Sequence, residues 1–211
     1  MNITLVDDVA AAFAQLLIAR NPRSVALSGG STARSCYEAA ARTGHDWSAT
    51  TFWFGDERFV AVTHPDSNER VARAVWLDRT PTGVIHSMAT AGPDPEIAAC
   101  NYESSLRNAP PLDLVHLGLG PDGHTASLFP GSPALDVIDR WVITTGDDLH
   151  PHLRLTLTLP AIAASALVVV TVAGVAKRDA LARVQTGDRT APAARIKAPE
   201  VIWIVDPDAM A

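Results

Sequence analysis

The sequence predicts an α/β fold, a mostly parallel sheet covered by helices on both faces, and three observations predict it. Short apolar, β-rich runs recur along the chain with helical segments between them. One of these runs, 168–172, is β-branched and free of charge, as a strand buried on both faces should be. Glycine-rich or charged segments follow several of the runs, and the carboxyl ends of strands are where such sheets hold ligands. With 211 residues, 47% of them hydrophobic, the chain can bury one sizeable core, so 1–211 reads as a single domain.

In chain order, a helix is expected at 6–19, a strand at 24–27, a helix at 33–41 and a strand at 50–54. A helix at 68–77 has a visible start, because Asp66 can cap it and Glu69 stands three residues on. A short strand at 84–86, a helix at 95–107 and a strong strand at 112–117 follow, then a strand at 141–145. Over 153–159, Leu153, Leu155, Leu157 and Leu159 alternate with Arg154, Thr156 and Thr158, the two-residue period of a strand with one wet face. Pro160 breaks that run; a helical piece at 161–165, a strand at 167–172, a helix at 175–184 and a strand at 201–205 complete the chain. Residues 155–176 carry no charge and are long enough to cross a bilayer, but the alternation and Pro160 make them separate elements of a globular fold.

Charge and cysteine content exclude several classes. A net charge of −6, from 17 basic and 23 acidic side chains with no Lys/Arg block, gives no footprint for nucleic acid or for an acidic membrane. A phosphate-bearing ligand must therefore be caught locally. Cys36 and Cys100 lack the spacing of a disulfide framework or a structural zinc site and fit reduced thiols in a cytoplasm. The acidic first residues lack the pattern of a signal peptide.

Four segments at strand ends carry chemistry. Ser28, Gly29, Gly30, Ser31 and Thr32 precede a helix, and inward N–H groups, two hydroxyls and the positive helix end suit an anion such as phosphate. The same residues also read as a tight strand-to-helix turn with hydroxyl caps. Next, Asp56, Glu57 and Arg58 form a charged loop able to hold a polar substrate or balance an oxyanion. The third runs from Gly118 to Pro130. Its GxGxxG start raises a dinucleotide turn, but Pro121, Pro130 and Pro133 oppose the helix such a turn needs. Within it, His124 sits behind the glycine turn bearing Asp122 and can carry protons near neutral pH, a setting His45, His64, His86, His116, His150 and His152 lack. Lastly, Lys177 opens a helix, where its charge opposes the helix dipole unless a ligand's negative charge compensates; a solvated lysine beside Arg178 is the other reading. Arg195 is equally open.

In this order and at these intervals the segments LSGGST (27–32), GDERFV (55–60), HPDSNER (64–70), LDLVHLGLGPDGHTASLFPGS (112–132), LRLTLTLPAI (153–162), GVAKRDAL (174–181) and VIWIVDPDA (201–209) resemble the glucosamine-6-phosphate isomerase/6-phosphogluconolactonase family over nearly the whole chain. The resemblance, closest to its lactonase branch, implies a three-layer α/β/α, sugar-phosphate isomerase-like (Rossmann-like) fold. It implies no metal or organic cofactor, and hydrolysis of 6-phospho-D-glucono-1,5-lactone in the pentose phosphate pathway. Carried over by position, it makes His124 the general base, places Asp122, Asp56 and Arg58 around it, and gives phosphate binding to Ser28–Thr32 and Lys177. Ala33 and Ala61 stand where many relatives have proline, which bears on loop rigidity.

The related deaminases carry a tyrosine after the acidic pair and a glutamate five residues after the motif histidine, where this chain has Arg58 and Phe129. A non-catalytic sugar-phosphate sensor of the kind found inside regulators would bring a basic helix-turn-helix, and none precedes Ser24. The expected partner is thus a small sugar-phosphate lactone, not nucleic acid or membrane, with a monomer favoured.

Overall fold

The structure is a computed structural model that describes residues 1–146 and 151–210; His150 lies outside the described residues. Its strands are β1 (Asn2–Leu5), β2 (Ser24–Leu27), β3 (Thr51–Phe54), β4 (Asp56–Arg58), β5 (Leu114–Gly118), β6 (Val142–Thr145), β7 (Arg154–Leu157), β8 (Leu167–Val172) and β9 (Glu200–Val205). Six of them form one sheet in the order β1-β9-β8-β5-β2-β3, with every pairing parallel. The other three form a small antiparallel sheet, β4-β7-β6.

All six residues of β8 are buried. Because successive side chains of a strand point to opposite faces, both faces of the sheet are covered. Strand β3 shows by what. Phe52 meets Trp76 at 5.2 Å, and Trp76 stacks on Tyr37 of the helix α2 (Ser31–Arg42). Trp53, its neighbour, meets Tyr102 of the helix Pro95–Asn108 on the other side at 5.5 Å. The result is three layers, α/β/α, as expected.

Local signals explain the helix limits. The first helix, α1 (Val9–Arg20), starts where the Asp8 carboxylate accepts the Ala11 N–H at 2.9 Å and stops at Asn21 in the left-handed region, φ 44°. The helix α3 (Asn68–Ala72) runs into one wider turn, Arg73–Leu77. Helix α4 (Pro95–Asn108) has proline in its first turn and Asp94 as its cap. Two short helices, α5 (Leu159–Ala163) and α6 (Arg178–Gln185), complete the set.

Four expectations are corrected. Asp56–Arg58, expected as a loop, is β4, paired with β7 at Asp56↔Thr156 and Arg58↔Arg154. The polar side of 153–159 is not wet: Arg154, Thr156 and Thr158 are buried while Leu153 is 57% exposed, with the Ser127 N–H bonded to Thr156 Oγ1 and the Thr158 hydroxyl to Arg140 O. The cap of α3 is Ser67, not Asp66, since the Ser67 hydroxyl takes the Arg70 N–H at 3.0 Å. Residues 84–86 make one parallel bridge, Ile85 to Phe52, held at 2.7 and 2.8 Å by the bonds of Val84 and His86, and form no strand of their own. In addition, β1 pairs with the edge of β9 where the sequence reading had no element, and the uncharged run 155–176 divides into β7, α5 and β8. Among the described residues no helix is long and apolar enough to cross a membrane.

Candidate active site

The neighbouring strands β8, β5 and β2 deliver their carboxyl ends to one cleft of about 210 Å³. Its walls include Ser28, Gly29, Gly30, Ser31 and Thr32, Asp56 and Arg58, Gly118–Pro121, His124, and Lys177. Nine of the ten residues that the resemblance assigns to the site therefore share one cavity. The tenth, Asp122, reaches it through His124.

The cradle comes from the link between β2 and α2. Gly30 has φ 93°, a conformation that favours glycine, and turns the chain so that α2 starts with no side-chain cap. The hydroxyl-cap alternative thus fails, and the first N–H groups of a 12-residue helix face the cleft with its positive dipole end. Lys177 approaches from the short turn Val175–Lys177 ahead of α6. It is half-buried; burial pushes its ammonium pKa down and the Asp122 charge opposes the change. Behind the cradle, Tyr37 accepts the Ser28 N–H at 2.7 Å and contacts His116 Nδ1 at 3.0 Å, while His116 Nε2 meets Thr171 at 2.9 Å. Burial pushes the His116 imidazole down to about 3, so it is a neutral structural histidine.

His124 stands in the loop after β5. Its Nδ1 lies 2.6 Å from Asp122 Oδ1, which also accepts the His124 N–H at 3.1 Å. Burial raises the Asp122 carboxyl, but these contacts with His124 outweigh it and hold the carboxyl below its usual value. A carboxylate partner keeps the proton on Nδ1 and leaves Nε2 with its lone pair. The imidazole is 30% exposed, open to a substrate. Gly120 makes the pair possible, because a Cβ there would clash with His124 Nδ1 and Cε1.

Asp56 and Arg58 do not touch each other; Asn68 joins them. Its Nδ2 donates to Asp56 O at 2.9 Å and its Oδ1 accepts from Arg58 Nη1 at 3.1 Å. Arg58 Nη1 also donates to Asp66 O at 2.6 Å, while its buried Nε has no hydrogen-bond partner among the described residues. Asp56 is 5% exposed and accepts the Ser127 hydroxyl at 2.7 Å, tying β4 to the loop that carries His124. Glu57, buried beneath, accepts the N–H groups of Asn68 and Glu69 and the Ser67 hydroxyl, which fixes α3 and so Asn68.

A family described as glucosamine-6-phosphate isomerases/6-phosphogluconolactonase matches residues 1–203. The chain belongs to this family. A 6-phosphogluconolactonase of Synechocystis sp. is 44% identical over 204 residues, 90% of this chain and 84% of that one. One from Streptomyces coelicolor is 36% identical over 89% of this chain and 80% of its own. Among solved structures, the 6-phosphogluconolactonase of Thermotoga maritima aligns with a TM-score of 0.86 at 29% identity, over 97% of this chain and 99% of that chain. A monomeric glucosamine-6-phosphate deaminase aligns at 0.84 with 17% identity over 99% of this chain and 98% of that one, a likeness of fold alone.

Within this family member, the sequence reading missed several residues of the cleft. Asn68, Arg154, Ala126 and Thr171 line it, and Ser127 supports it. Asn68 lies inside the segment HPDSNER and had passed as the start of a helix. Arg154 reads in the sequence as a residue of a wet strand face, and its burial carries no sequence signal of its own. Arg195 is not part of the cleft, and its Nε bonds Arg189 O at 3.0 Å.

Proposed function

We propose that this chain is a 6-phosphogluconolactonase, hydrolysing 6-phospho-D-glucono-1,5-lactone to 6-phosphogluconate in the oxidative pentose phosphate pathway. One observation carries the reading: an uncapped helix N-terminus with a half-buried lysine and an imidazole with a carboxylate behind it line the same small cleft. At about 210 Å³ it lies below the roughly 300–1,000 Å³ of pockets for drug-sized ligands and suits one small polar molecule.

The phosphate sits on Ser28, Gly29, Gly30, Ser31 and Thr32 with Lys177, and the lactone ring reaches His124. Nε2 of His124 takes a proton from water as the water oxygen bonds to the lactone carbonyl carbon. Asp122 stabilises the imidazolium and keeps its orientation. The Arg58 guanidinium, or a backbone N–H of the cleft, donates to the tetrahedral oxyanion. The bond from the carbonyl carbon to the ring oxygen then breaks, and the imidazolium gives its proton to that oxygen, leaving a hydroxyl and a carboxylic acid that ionises. Asp56 acts through Asn68 and Ser127, which it anchors.

Phe129 stands where the deaminase pattern predicts a glutamate, and its ring lies 5.0 Å from the His124 ring. A phenyl ring moves no proton, which favours lactone hydrolysis over deamination. The enzyme is read as a cytoplasmic monomer whose cleft is built from one chain. The test is freshly generated lactone, followed against a buffer blank because the lactone opens unaided. Acceleration by the protein is the expected result. Phosphate-ester binding without acceleration would make the chain a sensor, and ammonia release from glucosamine 6-phosphate would make it a deaminase.

A further inference from the structure

We propose that His64, Asp66 and His152 form a binding site for one divalent transition-metal ion of the zinc class. The three residues come from two loops: His64 and Asp66 from the turn between β4 and α3, and His152 from the segment just before β7. One ring nitrogen from each histidine and one Asp66 oxygen all lie within 4.8 Å of one another. Asp66 Oδ2 is 2.9 Å from His152 Nε2 and 3.9 Å from His64 Nδ1. The two rings stand 5.2 Å apart and nearly perpendicular, at 80°.

These distances suit a shared ion. Zinc bonds to nitrogen and oxygen of roughly 2.0–2.2 Å put tetrahedral donors about 3.3–3.6 Å apart, and the observed 2.9 and 3.9 Å bracket that spacing. The donor set selects the class. Two imidazoles and a carboxylate match zinc and its transition-metal neighbours, whereas magnesium and calcium take oxygen shells. His64 Nδ1 accepts the Asp66 N–H at 3.2 Å, so the ring is unprotonated on this nitrogen, and an ion bound there takes the place of that N–H. Arg58 bonds the backbone carbonyl of Asp66, which leaves the carboxylate to the two histidines.

The three side chains are 41%, 53% and 25% exposed, so an ion can reach them and water can complete its shell. None of the three lines the catalytic cleft. The site lies beside it, since β4 and β7 pair at Arg58↔Arg154 and a bound ion ties the Asp66 turn to the start of β7. Among the described residues no other group of three such side chains converges in this way. The proposal does not depend on the lactonase reading.

The experiment uses the full chain without a histidine tag, freed of metal by a chelator, with zinc chloride titrated calorimetrically and cobalt(II) followed by its visible absorption. Wild type, His64→Ala, His152→Ala and the double variant are compared, with the melting temperature of each metal-free protein as the check on folding. Expected are saturable one-to-one binding in wild type and at least about tenfold weaker binding in each single variant, the lower end of what losing even an outer-sphere partner costs. The double variant should bind no ion at this site. Absence of saturable zinc binding in wild type, or equally tight binding in the double variant, overturns the proposal.

Discussion

Substituting Gly120 by alanine should separate the orientation of His124 from everything else in the cleft. The Gly120 φ is not in the left-handed region, so the backbone accepts alanine; the conflict lies in the side chains. The added methyl would clash with His124 Nδ1 and Cε1 and reach 2.7 Å from Asp122 Oδ1. Real Cβ contacts of that closeness do not persist, so the imidazole must swing away by about an ångström, enough to cost roughly 10²-fold in rate. The cradle at Ser28–Thr32 and Lys177 is untouched, and substrate affinity should stay within a few-fold. The assay is steady-state lactone hydrolysis corrected for the spontaneous reaction, with melting temperature as the folding control. A Gly120→Ala protein that keeps kcat within about threefold of wild type would refute the idea that the Asp122–His124 geometry sets the rate.

Two further outcomes follow from the same contacts. Lys177→Ala removes a charged anchor remote from the reacting carbon, so KM should rise roughly 10- to 100-fold, about 1.4–2.7 kcal/mol, with kcat changed much less; titration with substrate distinguishes the two, and a pure kcat defect would move Lys177 out of the phosphate role. Stability should fall in acid through Glu103. Burial raises its carboxyl, but Arg140 Nε at 2.7 Å and Arg107 Nε at 2.8 Å outweigh this and lower it from 4.5 to about 2. A depressed carboxylate contributes stability that is present above its unfolded pKa and lost as pH falls through the folded one. The window is therefore pH 5 to 2, and the loss at most about 3 kcal/mol, reduced by solvent screening of the two partly exposed arginines. Urea unfolding across that window should show a shallower pH dependence in Glu103→Gln; an unchanged slope would discard Glu103 as the cause.

How far the sequence spoke depended on the range of the signal. The cradle at Ser28–Thr32 and the loop around His124 were legible because glycine, hydroxyl and proline act on their own few residues. The strands β2, β5, β8 and β9 were legible because uniform burial writes itself as uninterrupted apolar sequence. Asp56–Arg58 was not, since three charged residues become a strand only when β7 arrives from about a hundred residues away. Arg154 and Thr156 read as a wet face for the same reason: the alternation reports polarity, and cannot say whether the polar side meets solvent or a cleft. Asp66 was a plausible cap for α3, and the actual choice of Ser67 was set by Glu57, whose buried carboxylate takes the next two N–H groups. Asn68, which holds Asp56 and Arg58 together, is invisible until both are in place.

The account rests on His124 as the proton carrier. The direct measurement is turnover of freshly made lactone, above its unaided opening, by wild type and His124→Ala side by side at equal folded concentration. A loss of roughly 10² to 10⁴ in kcat with KM little altered is predicted. An alanine variant that opens the lactone nearly as fast as wild type would contradict it.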